Sequence, residues 1–336
     1  MDQDFVNLAT KNITDILNIC IKYKPAHKAL VVYDKNYGLT DILVAGYRNA
    51  LPDAEFVDFD TKTREEIISL FDTLSPDDLV VLIQSTNFLL NDFRIRLHLF
   101  NKGLKVVEHM HLARNDKSVW DVYVNSLEYD TNWYPVVAPK LQLILNNTNS
   151  LRIVSQDSEI VFEGGLEGAK LNIGDYTGMT NVGGTFPIGE VFTENQDFAK
   201  VNGKFYVYAY ADKDFNVQMP EPFQLEVANG LVVGHSSNTP SEFIDIINLV
   251  KSFERPLIRE IGFGLNRAIT KNRYLSDITA FERILGLHFS LGEKHSVYKK
   301  EGMTTNKTKF HIDIFPVVDA VYSDDLLIFK DGKYTV

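Results

Sequence analysis

ALVVY, at residues 29–33, is five apolar or aromatic side chains in a row with no polar position between them. A strand with one solvated face alternates, so an unbroken run of this kind reads as a strand buried on both faces, as in a parallel sheet covered by helices. The same unit recurs outward from it. Upstream, Phe5, Leu8, Ile13, Ile16, Leu17, Cys20 and Ile21 stand at helical spacing, and Pro25 ends that helix. Downstream, helices are predicted near 39–50, 63–74 and 88–100, and strands near 54–59, 79–83 (LVVLI) and 105–108. Strands alternating with helices predict a parallel α/β sheet.

In such sheets ligands gather beyond the carboxyl ends of the strands. One of these ends is EHMHLAR, residues 108–114, where His109 and His111 stand two apart. On an extended backbone they share one side, which makes them candidate substrate-binding imidazoles facing a cleft. Neither G-x-G-x-x-G nor G-x-x-x-x-G-K-[ST] follows any of the strands, so no nucleotide-phosphate loop is expected.

From residue 151 the texture changes to LRIVSQDSEIVFEGG, KFYVYAYADKD and FQLEVANGLVVGH, β-rich runs punctuated by Gly, Asn or Asp that predict antiparallel hairpins. Residues 120–149 read as a connector ending in the polar cluster NNTNS. The expected architecture is therefore an α/β N-terminal domain at 1–147, followed by a β-rich α+β domain at 148–336 that carries the chemistry. Within the latter, Thr239, Pro240 and Glu242 have the spacing of a capping box opening a helix.

A net charge of -11 disfavours a general nucleic-acid or anionic-membrane surface. The single cysteine, Cys20, forbids an intrachain disulfide and a cysteine-rich zinc site. No signal-peptide pattern opens the chain and no apolar run is long enough to span a bilayer, so a cytoplasmic protein is expected.

Chemistry concentrates in the second half. GGTFPIGEVFT, residues 183–193, sets one carboxylate, Glu190, in a run otherwise apolar and rich in Gly and Pro. An uncompensated carboxylate in such a setting costs several kcal/mol unless it is paired or bound to a cation. The paired glycines and Pro187 predict a tight, irregular backbone there. LIREIGFG, residues 257–264, delivers Glu260 from a strand whose glycines permit close backbone approach. ILGLHFSLG, 284–292, holds His288, and FHIDIF, 310–315, sends His311 and Asp313 to one face by period-2 alternation. Alone, His288 also reads as a hydrogen-bonded core residue and H-x-D as an edge-strand pair. Together, His288, His311 and Asp313 make a facial triad suited to mononuclear Fe(II). Adding Glu190 and Glu260 gives five donors, which suits two ions about 3.5 to 4 Å apart with a bridging carboxylate.

FPIGEVFT followed by REIGFGLN, HFSLG and H-x-D resembles the catalytic half of the M29 metallo-aminopeptidases, the aminopeptidase T and aminopeptidase S group, over roughly residues 150–330. The resemblance implies that Glu190, Glu260, His288, His311 and Asp313 ligate divalent ions, a pair of Zn, Co or Mn, with Glu190 bridging them. It also implies a small peptide substrate and a homodimer. The family's catalytic tyrosine follows the HFSLG-type turn closely, where this chain has Glu293, Lys294 and His295, with Tyr298 a little later; His295 and Tyr298 are the candidate substitutes. EIGFGLNRA and HIDIFPVVDAVYSDD are also similar to segments of 2,5-dihydroxypyridine dioxygenase, a mononuclear iron enzyme on a related scaffold. There a histidine stands where this chain has Glu260, and the GEVFT glutamate is missing. The sequence thus supports a metallohydrolase, with Fe(II) ring cleavage of a small aromatic as the alternative.

Overall fold

A computed structural model describes residues 3–90, 95–300, 303 and 308–336. The chain divides into two compact units: Met1–Asp130 with Gly174–Ile188 and Lys271–Ala280, and Thr131–Ile173 with Gly189–Thr270 and Phe281–Val336. The chain thus returns to the first unit twice beyond the 147/148 cut drawn from composition.

The first unit is built on a five-stranded parallel sheet, as the unbroken apolar runs predict. Ala29–Tyr33 pairs with Glu55–Asp58 on one side and Leu79–Ile83 on the other. Lys105–His109 and then Gly183–Thr185 follow, each parallel to its neighbour. Every residue of Ala29–Tyr33 and of Leu79–Ile83 is buried. Leu30, Val32, Val80, Leu82 and Val106 pack with Ile67, Phe71 and Leu99 from the covering helices. Helix Arg64–Asp72 opens on a capping box in which Thr63 and Glu66 satisfy each other's backbone N–H. The helix expected near 88–100 is found at Ile95–Asn101, and residues 91–94 lie outside the described set.

The second unit is a large antiparallel sheet. Four neighbouring strands matter most, in the order Glu190–Glu194, Ile258–Gly264, Gly286–Leu291, Ile312–Pro316. The helix Ser241–Lys251 begins one residue later than the capping-box reading: Pro240 is the N-cap, and Thr239 Oγ1 donates backwards to the Ser236 carbonyl at 2.8 Å. Among the described residues no helix is long and apolar enough to cross a membrane.

GGTFPIGEVFT is not the irregular segment its composition suggests. Gly183–Thr185 is the fifth strand of the parallel sheet and Glu190–Glu194 is a strand of the antiparallel one. Between them lies a cis Phe186–Pro187 bond. Gly183 has φ +109°, and a Cβ there would collide with the Val106 carbonyl, so glycine is what lets this strand pair at all.

Candidate metal centre

Strand register explains why distant residues meet. Paired residues of an antiparallel ladder point to the same face, and so do residues two apart on a strand. Gly264 pairs with Glu190, Gly262 with His288, and Ser290 with Asp313. Glu260, Glu190, His288 and Asp313 therefore all project from one face of four adjacent strands. They are 7, 4, 0 and 6% exposed, so three carboxylates and an imidazole are largely shielded from water.

The inner atoms of this group face one another. His288 Nε2 lies 3.3 Å from Glu190 Oε1 and 3.5 Å from Glu260 Oε1. His311 Nε2 lies 3.8 Å from Glu260 Oε1 and 3.3 Å from Asp313 Oδ1. The outer oxygens are taken. Arg283 Nη1 donates to Glu190 Oε2, and His295 Nε2 contacts Glu260 Oε2.

Hydrogen bonds fix which nitrogen of each ring carries its proton. His311 Nδ1 lies 3.0 Å from the Lys294 carbonyl, an acceptor only, so Nδ1 carries a hydrogen and Nε2 is the inward nitrogen, the one that would ligate once deprotonated. This is the arrangement of a metal-ligating histidine steadied by a carbonyl. His295 is the opposite case. Its Nδ1 accepts from the N–H groups of Val297 and Tyr298 at 3.1 and 3.2 Å, so its hydrogen sits on Nε2 and is donated to Glu260.

Charge is unbalanced accordingly. Burial pushes the Glu190 carboxyl upward against the pull of Arg283 and His288. Burial also works against ionised Glu260, but the His288 and His295 rings set against it outweigh burial and hold that group well below the usual range. Burial opposes charging His288 and His311 too, yet the surrounding carboxylates lift them to about 9 and about 10. In the protein alone, the imidazoles serve as the cations.

These residues fit a divalent ion. Among the described residues, His288 Nδ1 and Nε2 and Asp313 Oδ1 are buried without a hydrogen-bond partner. Donor atoms of Glu190, Glu260 and His288 lie within 4.8 Å of one another, as do those of Glu282, His288 and Asp313. Mixed imidazole and carboxylate donors at such spacing suit Zn, Co, Mn or Fe(II).

Three other expected residues are placed differently. His109 is fully enclosed: its Nε2 lies 2.8 Å from the Tyr47 hydroxyl and its Nδ1 3.0 Å from that of Tyr123, which donates to the Phe186 carbonyl at 3.2 Å. Both nitrogens are used, and burial pushes the ring down to about 3. His111 has φ +52°, a left-handed turn that breaks the alternation on which a shared side depended. Its Nδ1 lies 3.1 Å from Asp277 Oδ1, an oxygen that Arg114 also holds at 2.7 Å. Tyr298 spends its hydroxyl on the Gly168 and Phe192 carbonyls at 2.8 and 3.2 Å, so it is a strut and not a free proton donor.

Sequence reasoning missed Arg283 and Glu282, whose Oε1 lies 2.7 Å from Arg283 Nη2 and whose carboxyl burial raises to about 8. It missed Arg259 as well, which is 1% exposed and donates to Glu194, to the Glu293 carbonyl and to the Tyr298 carbonyl, holding the segment that carries His295. The available signal was a charged pair abutting the apolar ILGLHFSLG run.

No protein-family model matches the chain, and neither does any curated protein. Solved structures do. The 2,5-dihydroxypyridine dioxygenase from Pseudomonas putida KT2440 is similar over 98% of this chain and 97% of its own, with a TM-score of 0.67 at 17% identity. Wild-type AmpT from Thermus thermophilus is similar over 99% of this chain and 100% of its own, with a TM-score of 0.64 at 12% identity. At such identities the likeness is one of fold.

Proposed function

We propose that this chain is a metal-dependent hydrolase of peptide or amide bonds, aminopeptidase-like in its chemistry. The observation that carries the reading is the donor set: three buried carboxylates and two imidazoles turn their inner atoms toward one another, while Arg283 and His295 take the outer oxygens. A divalent ion bound there supplies Lewis acidity and a water that ionises near neutral pH. Glu190, Glu260, His288, His311 and Asp313 would hold it.

The same donor count speaks against ring-opening oxygenation. That chemistry uses two imidazoles and one carboxylate and leaves several positions open for other ligands. Glu190 and Glu260 are carboxylates beyond that triad, and mixed imidazole and carboxylate ligands are what hydrolytic zinc centres use. Fold likeness does not choose, since an enzyme of each kind shares the architecture.

The chain's own residues supply the rest. His295 keeps a proton on Nε2 against Glu260 Oε2, placing a donor at the edge of the centre.

Chelator-stripped protein reloaded with Zn, Co or Mn should release product from a panel of aminoacyl anilides and dipeptides, and lose that activity on chelation. Oxygen uptake with Fe(II) and a dihydroxylated heteroaromatic, with no hydrolysis under any ion, would sink the proposal in favour of the dioxygenase reading.

A further inference from the structure

We infer that the centre takes one divalent ion, and that the guanidinium of Arg283 fills the place a second cation would occupy. The inference rests on the reading of the Glu190–Asp313 cluster as a metal centre and goes beyond it by fixing its stoichiometry. A carboxylate bridges two ions by giving one oxygen to each. Neither glutamate is free to do so: Glu190 Oε2 is bonded to Arg283 and Glu260 Oε2 to His295. Each therefore offers its Oε1 alone, and both Oε1 atoms lie within 3.5 Å of the one nitrogen His288 Nε2.

Arg283 is built in and is not a surface visitor. It is 8% exposed, and its second nitrogen, Nη2, reaches Glu282 Oε1 at 2.7 Å. Glu282, His288 and Asp313 bring donor atoms within 4.8 Å of one another, so a second donor set exists beside the first. It shares His288 with the first set, and one imidazole nitrogen serves one ion.

The test is the zinc stoichiometry of chelator-stripped full-length protein, by calorimetric titration and by elemental analysis after gel filtration. Wild type should bind one equivalent. Arg283→Gln, which frees Glu190 Oε2 and Glu282, should bind two, and Arg283→Lys should return the count to one. Two equivalents in wild type, or one in a folded Arg283→Gln, would overturn the inference while leaving the metal centre standing. No zinc bound by wild type would overturn the metal reading itself. Should Arg283→Gln not fold, as circular dichroism would reveal, Glu190→Gln decides: a single weakened equivalent supports one ion, whereas a fall from two to one marks a bridging carboxylate and refutes it.

Discussion

Gly262 stands directly opposite His288 in the ladder between the Ile258–Gly264 and Gly286–Leu291 strands, and a Cβ on it would overlap the imidazole ring. The backbone at Gly262 is not left-handed, so alanine is excluded by the ring and not by φ. Gly262→Ala should therefore push His288 off the site. We expect metal affinity to fall by about 10- to 100-fold, the range seen when a ligand loses its support, and stability to drop by about 1–3 kcal/mol from overpacking. Calorimetric zinc titration beside a urea melt checks both. Unchanged affinity would mean that His288 does not ligate.

Metal loading should expel protons. In the protein alone, the carboxylates around His288 and His311 lift them against burial to about 9 and about 10, so both are charged at neutral pH. A ligating imidazole must be neutral, and zinc binding near pH 7 should release about two protons. Titrations in buffers of different ionisation enthalpy measure that number, and a value near zero would remove both residues from the ligand set. Without metal, the native state binds these protons more tightly than the unfolded chain does. Their contribution to stability is thus complete below about 6.5 and is lost as pH rises through about 9 to 10. The metal-free protein should melt earlier at pH 10 than at pH 7.

Arg259 and Glu194 form an ion pair with both side chains at most 1% exposed. Removing one partner of such a pair leaves the other charged and buried, at a cost of about 3–5 kcal/mol. Arg259→Met should show that loss, and Arg259→Met with Glu194→Leu should recover part of it. Because Arg259 also holds the Glu293 and Tyr298 carbonyls, both variants should release the segment bearing His295. Faster amide exchange at residues 293–298 in both, against a stability recovered only in the double variant, separates the two roles.

Ala29–Tyr33 and Leu79–Ile83 were legible to the residue because burial on both faces imposes an unbroken apolar run, a purely local signature. The alternation of FHIDIF is a local mark of the strand Ile312–Pro316, which carries Asp313 and begins just after His311. Arg283 was not legible: it meets Glu190 across 93 residues of sequence, and only the pairing of strands brings them together. GGTFPIGEVFT misled because glycine marks both a turn and a strand that needs a backbone without Cβ, and composition does not separate the two. His109 misled similarly. Its spacing from His111 is local, but its fate is set by Tyr47 and Tyr123, one 62 residues before it and the other 14 after.

That enclosure of His109 makes an acid-stability prediction. Tyr123 donates its own hydrogen to the Phe186 carbonyl, so it accepts from His109 Nδ1, and Tyr47 donates to Nε2. The ring is neutral in the native state, and burial pushes it down to about 3. Unfolded, the same ring titrates near 6.5. Below that pH the unfolded chain binds a proton the native state refuses. Stability should fall as pH drops from about 6.5 to about 3, by at most about 1.4 kcal/mol per unit from this residue. His109→Gln keeps polar atoms for both tyrosines and does not titrate. Its urea-derived stability should start lower at pH 7 but decline less steeply between pH 6 and pH 4 than that of wild type. Parallel declines in the two proteins would show that His109 is charged in the fold, and the tyrosine–histidine–tyrosine assignment would then be wrong.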